Sequence, residues 1–528
     1  MTFRSGLHNT LVVLLLLIAA FPFLDTAILN PASAQDDSFA IFDGKSLEGW
    51  EGDNELWRVD NGVLVGETTA ALEKTTYLIW RQGTVDDFEL TLSYRITGGN
   101  SGIQYRSQDR GEFRVTGYQA DMEAGNNHSG ILYEQGGRGI VTKRGERTTL
   151  HDDGVRKHGS PIGTSENLQS VIKSGDWNQY RIIARGNHLQ HFINGTLMSE
   201  TTDNEGGKQS LSGILAFQLH AGPPMKVEFK DIHLKRLRLT DDRKKLLLLA
   251  GRASHAQGAH EFRAGCLLFQ KCLEKSIGEK LITAVYTNGW PDDPTAFDNA
   301  DGILLFSDGG KGHPVIQSNR LAQIDALTKR GVGVACLHYG VEVPKEKGGP
   351  EFLNWIGGFF ETDWSVNPHW TLVKTELAQN HPICSGVKPF EINDEWYYHM
   401  RFREPNNEVI KILTAIPPDS TRERPNGPHS NNPTVRSGRG SREVLAWAYE
   451  RPDGGRGFGC TGGHFHKNWA NNDFRTLILN ALVWTSGLDV PKEGISSQVS
   501  DIDLTKNLDP PPPPRKKKRP PQRPVSSP

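Results

Sequence analysis

The apolar pattern of this chain changes character near Leu239, and that change limits what it can fold into. Before it, hydrophobic and polar residues alternate. In FELTLSYRI, Phe88, Leu90, Leu92, Tyr94 and Ile96 share one face, the period-2 mark of a strand with one side in a core. After it, apolar residues come in unbroken runs: KKLLLL from Lys244, GILLFS at 302–307, GVGVACLH at 331–338 and VLAWAY at 444–449. Helical stretches such as 317–330 separate them. Continuous runs suit strands covered on both faces, so this half predicts an α/β domain on a parallel sheet. A chain of 528 residues also exceeds what one hydrophobic core organises.

The first half carries further strand signals. NQYRIIARGNHLQHFINGTL predicts hairpins that turn at Gly186-Asn187 and Asn194-Gly195. MKVEFKDIHLKRL alternates at Met225, Val227 and Phe229, then slips phase to Ile232 and Leu234, which predicts a bulge. Many short strands between Gly and Asn turns indicate a sandwich of antiparallel sheets. In the second half the last helix is expected to be capped by Asn472, to face the core with Phe474, Leu477, Ile478, Ala481 and Leu482, and to end at Gly487.

The ends read differently. Arg4, an apolar run over 11–24 and Ala32-Ser33-Ala34 before Gln35 form a signal peptide over 1–34, so the mature chain is expected to be exported, to the periplasm or beyond. Residues 491–528 read as a disordered tail rich in Pro, Lys and Arg, whose partner by charge would be an acidic wall or a membrane surface. Overall charge is balanced, 60 basic against 62 acidic residues, which gives no electrostatic case for nucleic acid. The five cysteines include no CxxC pair and do not read as a disulfide framework; Cys266 and Cys272 read as core.

Chemistry-bearing residues cluster in both halves. In GYQADMEAG, Gln119, Asp121 and Glu123 share one strand face, opposite Tyr118, Ala120 and Met122. Gln104 with Arg106 in SGIQYRS, and Gln218 with His220 in FQLHAG, likewise share a face. Glu134 adds an acid–base group and Arg138 a cation. The tryptophans Trp50, Trp57 and Trp177 read as core rather than sugar platforms. In the second half, LLLLAGRASHAQGAHEF ends a buried strand with His255, His260 and Glu261; it fits neither a Walker loop nor GxGxxG. His338, the segment NDEWYYH with Asp394, Glu395, Tyr397 and His399, and GGHFHKNW with His464 and His466 also follow strand-like runs. Ligands of α/β sheets sit at carboxyl strand ends, so one shared pocket is expected there. The histidine spacing matches no standard metal site, which leaves a metal open.

Two resemblances sharpen this. FDGKSLEGW (42–50), LWRVDNGVLVGE (56–67), NSGIQYRS (100–107), GYQADMEAG (117–125), SGILYEQGGRG, GDWNQYRIIARGNHLQHFINGTL and GILAFQLHAGPPMKVEFKDIHLK occur in order. This segment, 36–238, resembles the 3-keto-disaccharide hydrolase family, which implies a concanavalin-like jelly-roll sandwich. It also implies hydrolysis of 3-keto-glycosides by elimination and hydration. Asp121, Glu123, Glu134 and His220 would then be the acid–base groups, with Gln104, Arg106, Gln119, Arg138 and Gln218 holding an oxidised di- or oligosaccharide and a cation or donor holding the enolate; no cofactor is expected. AGRASHAQGAHEF, GVGVACLH, HPICSGV, DEWYYH and GGHFHKNW make 244–490 resemble the ThuA-like (trehalose utilisation) family, with the flavodoxin-like topology of class I glutamine amidotransferases. The elbow that carries a nucleophilic cysteine in amidotransferases falls on His338, and Cys336 lies two residues earlier, inside the strand. That implies a sugar pocket lined by His255, His260, Glu261, His338, Asp394, Glu395 and His464, not a glutaminase. The competing readings are a non-catalytic carbohydrate-binding surface protein and a conventional two-carboxylate glycosidase.

Overall fold

Alternation before Leu239 produces two sheets packed face to face. In this computed structural model, which describes residues 38–405 and 408–510, one sheet has ten strands. The other has seven, in the order Gly139–Thr142, Leu132–Gln135, Val115–Glu123, Asn100–Asp109, Ile214–Leu219, Thr76–Trp80, Trp50–Glu51. Phe88, Leu90, Leu92, Tyr94 and Ile96 all point into the core between the sheets. They meet Ile103, Tyr105, Tyr118, Ala120, Met122, Leu215 and Phe217 from the seven-stranded sheet. The hairpins turn at 186–187 and 194–195, and the phase slip is a bulge between Lys230 and His233 with Asp231 at φ 53°. Trp50 and Trp57 are core. Trp177 is half-buried beneath Arg95 and Lys230.

The second layer is an eight-stranded sheet ordered Leu281–Tyr286, Lys244–Ala250, Gly302–Phe306, Gly333–Leu337, Arg456–Cys460, Glu443–Glu450, Val409–Ala415, Glu376–Leu377. The first five strands are parallel. The last three run antiparallel, so the sheet is mixed, not wholly parallel as the apolar runs suggest. The cause is local: Glu443–Glu450 returns through a tight turn into Arg456–Cys460, and a parallel neighbour would need a crossover of a dozen residues or more. Burial of the run cannot reveal this, because a central strand is apolar in either direction. Helices Phe262–Ile277, Arg320–Thr328, Gly349–Trp355 and Asn472–Thr485 accompany the sheet. The last is capped one residue earlier than expected, by Asn471, whose side chain accepts from Phe474 N at 2.9 Å, and ends near Gly487 at φ 84°. All five cysteines are free and buried.

The sandwich and the α/β layer are joined through buried charges. Lys245 at the start of the first parallel strand lies 2.6 Å from Asp86, and Asn299 donates to Asp86 at 2.8 Å. Arg236 pairs with Asp293 at 2.6 Å. Asp87 accepts from both Arg243, at 2.8 Å, and Arg106, at 2.9 Å.

The tail expectation needs correcting over its first part. Residues 491–510 pack against the α/β layer: Ile495 sits in its core at 1% exposure, and Asp501–Thr505 is a short helix with a Ser500/Asp503 capping box. Isolated apolar residues anchor it, a signal that its low apolar content hides. The signal segment 1–34 and the basic run beyond 510 lie outside the described residues.

Candidate functional site

On the seven-stranded sheet, residues that alternate with the core-facing side chains form a buried polar face. The strands Asn100–Asp109, Val115–Glu123 and Ile214–Leu219 lie side by side, with Gln104 directly opposite Gln119. The Gln119 carbonyl accepts from Gln104 Nε2 at 2.6 Å and from Gln218 Nε2 at 2.9 Å. Its amide then faces Asp121, to which it donates. Gln218 also donates to the Tyr77 hydroxyl at 3.0 Å, and Ser107 Oγ donates to Gln104 at 2.7 Å. This network fixes which end of each amide faces the carboxyl. Asp121 is 5% exposed, and desolvation pushes its pKa up to about 7, against the opposing pull of the Gln119 amide and His128. Two residues on, Glu123 is driven the other way. Burial raises it, but the His128 ring at 2.9 Å and the amides of Asn127 and His128 outweigh that and hold it below the usual range. Adjacent carboxyls with separated pKa values are the pattern of an acid–base pair with distinct roles.

Four of the nine residues singled out in this half, Gln104, Gln119, Asp121 and Gln218, therefore meet, with Glu123 beside them. The others lie apart. Arg106 does not share the face of Gln104: a bulge between Tyr105 and Gln108 puts it at φ 47°, and its guanidinium turns to Asp87 and the carbonyls of Asp86 and Gly186. Glu134 pairs with Tyr118, not Gln119, in the strand register, so it belongs to the opposite face, where Arg138 ties it to Asp203 and Glu205. His220 lies past its strand end, exposed, with Nδ1 2.6 Å from the Ala221 carbonyl. Tyr77 and His128 were missed. Tyr77 faces the glutamines only through a strand pairing distant in sequence, whereas His128, five residues after Glu123, was open to a loop-closure argument.

In the α/β layer, the carboxyl ends of the parallel strands gather a second site. His338 follows Gly333–Leu337 directly and adopts φ 49°, and His260 adopts φ 54°. Each such left-handed non-glycine costs on the order of 1 kcal/mol, a strain that concentrates at functional sites. His260 Nε2 lies 2.9 Å from His464 Nδ1 and 3.3 Å from His338 Nε2. Glu395 Oε2 is 3.3 Å from His464 Nδ1 and 3.5 Å from His338 Nε2. These four residues each offer a ligand atom within 4.8 Å of the others, a set that could hold a metal ion; His255, His260 and Asp308 form a second, more exposed trio. The Tyr397 hydroxyl is 3.2 Å from His338 Nε2 and 3.3 Å from Glu395. Burial first, then the neighbouring histidines, keeps His260 well below the ordinary histidine range.

His255 stacks on His260 with ring centroids 3.7 Å apart. Asp394 and Glu261 act as braces rather than pocket walls. Asp394 accepts from the backbone of Gly463 and His464 and from Asn468. Glu261 accepts from Gly258 N and from Asp509 N, both at 2.7 Å. His399 stands outside the cluster, stacked on Trp364. His466 is buried with its pKa pushed down to about 4 by desolvation. His369, which joins Glu395 at 3.8 Å, was missed. Cys336 is fully buried and its thiol is pushed up by desolvation, so the elbow position presents His338.

A β-sandwich with a buried acid–base face, followed by an α/β layer with a histidine cluster at its strand ends, defines a two-module protein. Residues 37–235 match the family described as the 3-keto-alpha-glucoside-1,2-lyase-like domain, and residues 265–485 match the family described as Trehalose utilisation. The chain is a fusion of these two domain types, in that order, and at family level a carbohydrate-active protein. No curated protein matches it. Among solved structures, a Parabacteroides distasonis protein whose glycosyl hydrolase assignment is itself provisional is 21% identical, over 38% of this chain and 94% of its own, with a TM-score of 0.26. The carbohydrate-binding module CBM66 of Bacillus subtilis is 12% identical, over 35% and 95%, with a TM-score of 0.24. A Bacillus subtilis protein of unknown function with a galectin-like fold is 11% identical, over 36% and 90%, with a TM-score of 0.25. At these scores the solved structures carry no argument about activity.

Proposed function

We propose that the protein is exported and hydrolyses 3-keto-glycosides at the polar face of its sandwich, with Asp121 as the proton-transfer group. A ketone at C3 acidifies the C2–H. The Asp121 carboxylate removes that proton, the C2 electrons form the C1–C2 double bond, and the C1–O bond breaks. Asp121 hands the proton to the departing oxygen. Water then adds at C1, its proton passes to Asp121 and on to C2, and the net change is hydrolysis. A base with a pKa near the working pH suits both directions of transfer. The Tyr77 hydroxyl, which accepts from Gln218, would donate to the enolate oxygen. The carrying observation is Asp121 itself, a buried carboxyl with its pKa near 7 oriented by the Gln119 amide. The match of residues 37–235 to a 3-keto-glucoside lyase-like family supports the substrate class. We read the second module as a flavodoxin-like, sugar-related domain; its strand order, second-first-third-fourth-fifth over the parallel strands, supports this. The basic tail would suit an acidic wall or membrane surface.

The test is turnover of 3-keto-trehalose beside plain trehalose, for wild type and Asp121→Asn. Sugar release from the keto sugar alone, lost in the variant, is expected, with kcat/KM falling below a pH midpoint of about 7. Binding without release from either sugar would establish a carbohydrate-binding protein instead.

A further inference from the structure

We propose that His260, His338, His464 and Glu395 form a binding site for a zinc-class divalent cation at the strand ends of the α/β layer, an inference that goes beyond the sandwich chemistry. Zinc bonds of about 2.0–2.1 Å in a tetrahedron separate neighbouring ligand atoms by about 3.3–3.4 Å. The four measured edges are 2.9, 3.3, 3.3 and 3.5 Å, and all ligand atoms lie within 4.8 Å of one another. These four of the six edges are already near the spacing of a coordination shell.

Proton counting points the same way. His338 Nδ1 lies 2.8 Å from the Thr461 carbonyl, which can only accept, so Nδ1 carries the hydrogen. In the neutral ring, Nε2 then offers a lone pair that faces His260 Nε2 and the Glu395 carboxylate, with the Tyr397 hydroxyl also 3.2 Å away. His260 Nε2, with one hydrogen or one lone pair to offer, faces two ring nitrogens at once, and its other nitrogen is buried without a partner. A cation satisfies these converging lone pairs together. The Thr461 carbonyl is the outer partner that zinc-bound imidazoles use to fix tautomer and orientation. Asp394 supplies a further layer by fixing the backbone around His464.

The site has an open side. Glu395 and His369 also line a hollow of about 480 Å³ with Asn367, Ser420, Thr421 and Arg424. A hydroxyl- or carbonyl-bearing ligand in that hollow would reach the ion past Glu395, and Arg424 gives it a cationic wall.

The experiment uses the purified full chain without affinity histidines, stripped with a chelator and returned to zinc chloride. Metal is counted by mass spectrometry and folding checked by circular dichroism. One equivalent of zinc per chain is expected. His464→Ala and, separately, Glu395→Gln should weaken zinc binding at least about tenfold. His399→Ala, which removes a histidine stacked on Trp364 outside the cluster, should keep the full equivalent. Cobalt(II) should give the absorption of a four-coordinate nitrogen–oxygen site in wild type and lose it in His464→Ala. A folded wild type that takes up no zinc would overturn the proposal and identify the cluster as an imidazolium–carboxylate pair. An equivalent retained undiminished by His464→Ala would overturn it too, by placing the ion elsewhere. Metal content is read without any sugar, so this outcome and the turnover outcome are independent.

Discussion

Replacing Asp121 by Asn should stabilise the protein, and by more at high pH than at low. An acid whose folded pKa is raised binds its proton more tightly in the folded state. Its support for folding is complete below the unfolded value near 4 and is lost as pH climbs to the folded value of about 7. Above that, the chain carries the full penalty of a buried charge. A rise from 3.8 to about 7, at about 1.4 kcal/mol per unit, corresponds to about 4 kcal/mol at pH 8 and about 2 kcal/mol at pH 5. Asn keeps an oxygen to accept from Gln119 and nearly the same volume, so the comparison isolates the charge. Urea unfolding of wild type and Asp121→Asn at pH 5 and 8 would measure it. The gain in stability should widen by about 2–3 kcal/mol between the two, while turnover of a 3-keto-glycoside is lost. A gain that does not change with pH, or a loss at both, would refute a buried carboxyl titrating near neutrality and remove the basis for its acid–base role.

Other perturbations probe the surroundings. A Cβ at Gly102 would lie 2.5 Å from the Gln119 side chain, so Gly102→Ala should turn that amide from Asp121 and lower kcat more than tenfold, with KM and the unfolding midpoint changed far less. Asp87→Asn leaves Arg106 and Arg243 without their shared, fully buried carboxylate; denaturant unfolding should show a loss of about 3–5 kcal/mol. Cys336→Ala should leave every activity of the chain at the wild-type level, since the thiol is buried in its strand; loss of turnover with folding intact would reopen nucleophilic chemistry at the elbow.

What the residues disclosed follows from the range over which each signal acts. Strand alternation is local, so the faces of Phe88–Thr97 and Val115–Glu123 were legible, and with them the grouping of Gln119, Asp121 and Glu123. Arg106 and Glu134 were misplaced for the reason that limits all such readings. A single bulge or a pairing shifted by one residue moves a side chain to the other face, and neither leaves a mark in composition. The direction of Glu443–Glu450 was hidden because apolar runs report burial and not polarity of the chain.

The histidine cluster was legible in part, and its remainder shows where sequence reasoning meets topology. His260, His338, Glu395 and His464 span more than two hundred positions, and no spacing rule joins them. What joins the three histidines is that parallel strands place all their carboxyl ends on one edge, so the segments that follow Lys244–Ala250, Gly333–Leu337 and Arg456–Cys460 must meet there; Glu395 comes instead from Ile392–Glu395, a strand of a separate two-stranded sheet. That argument yields the neighbourhood but not the atoms. The atoms are set by two left-handed backbones, at His260 and His338, and by the Asp394 brace beneath His464. The result is three imidazole nitrogens and a carboxylate oxygen converging on one point, with separations of 2.9 to 3.5 Å. A divalent cation would take all four donors at once, which is the physical reason to look for one there.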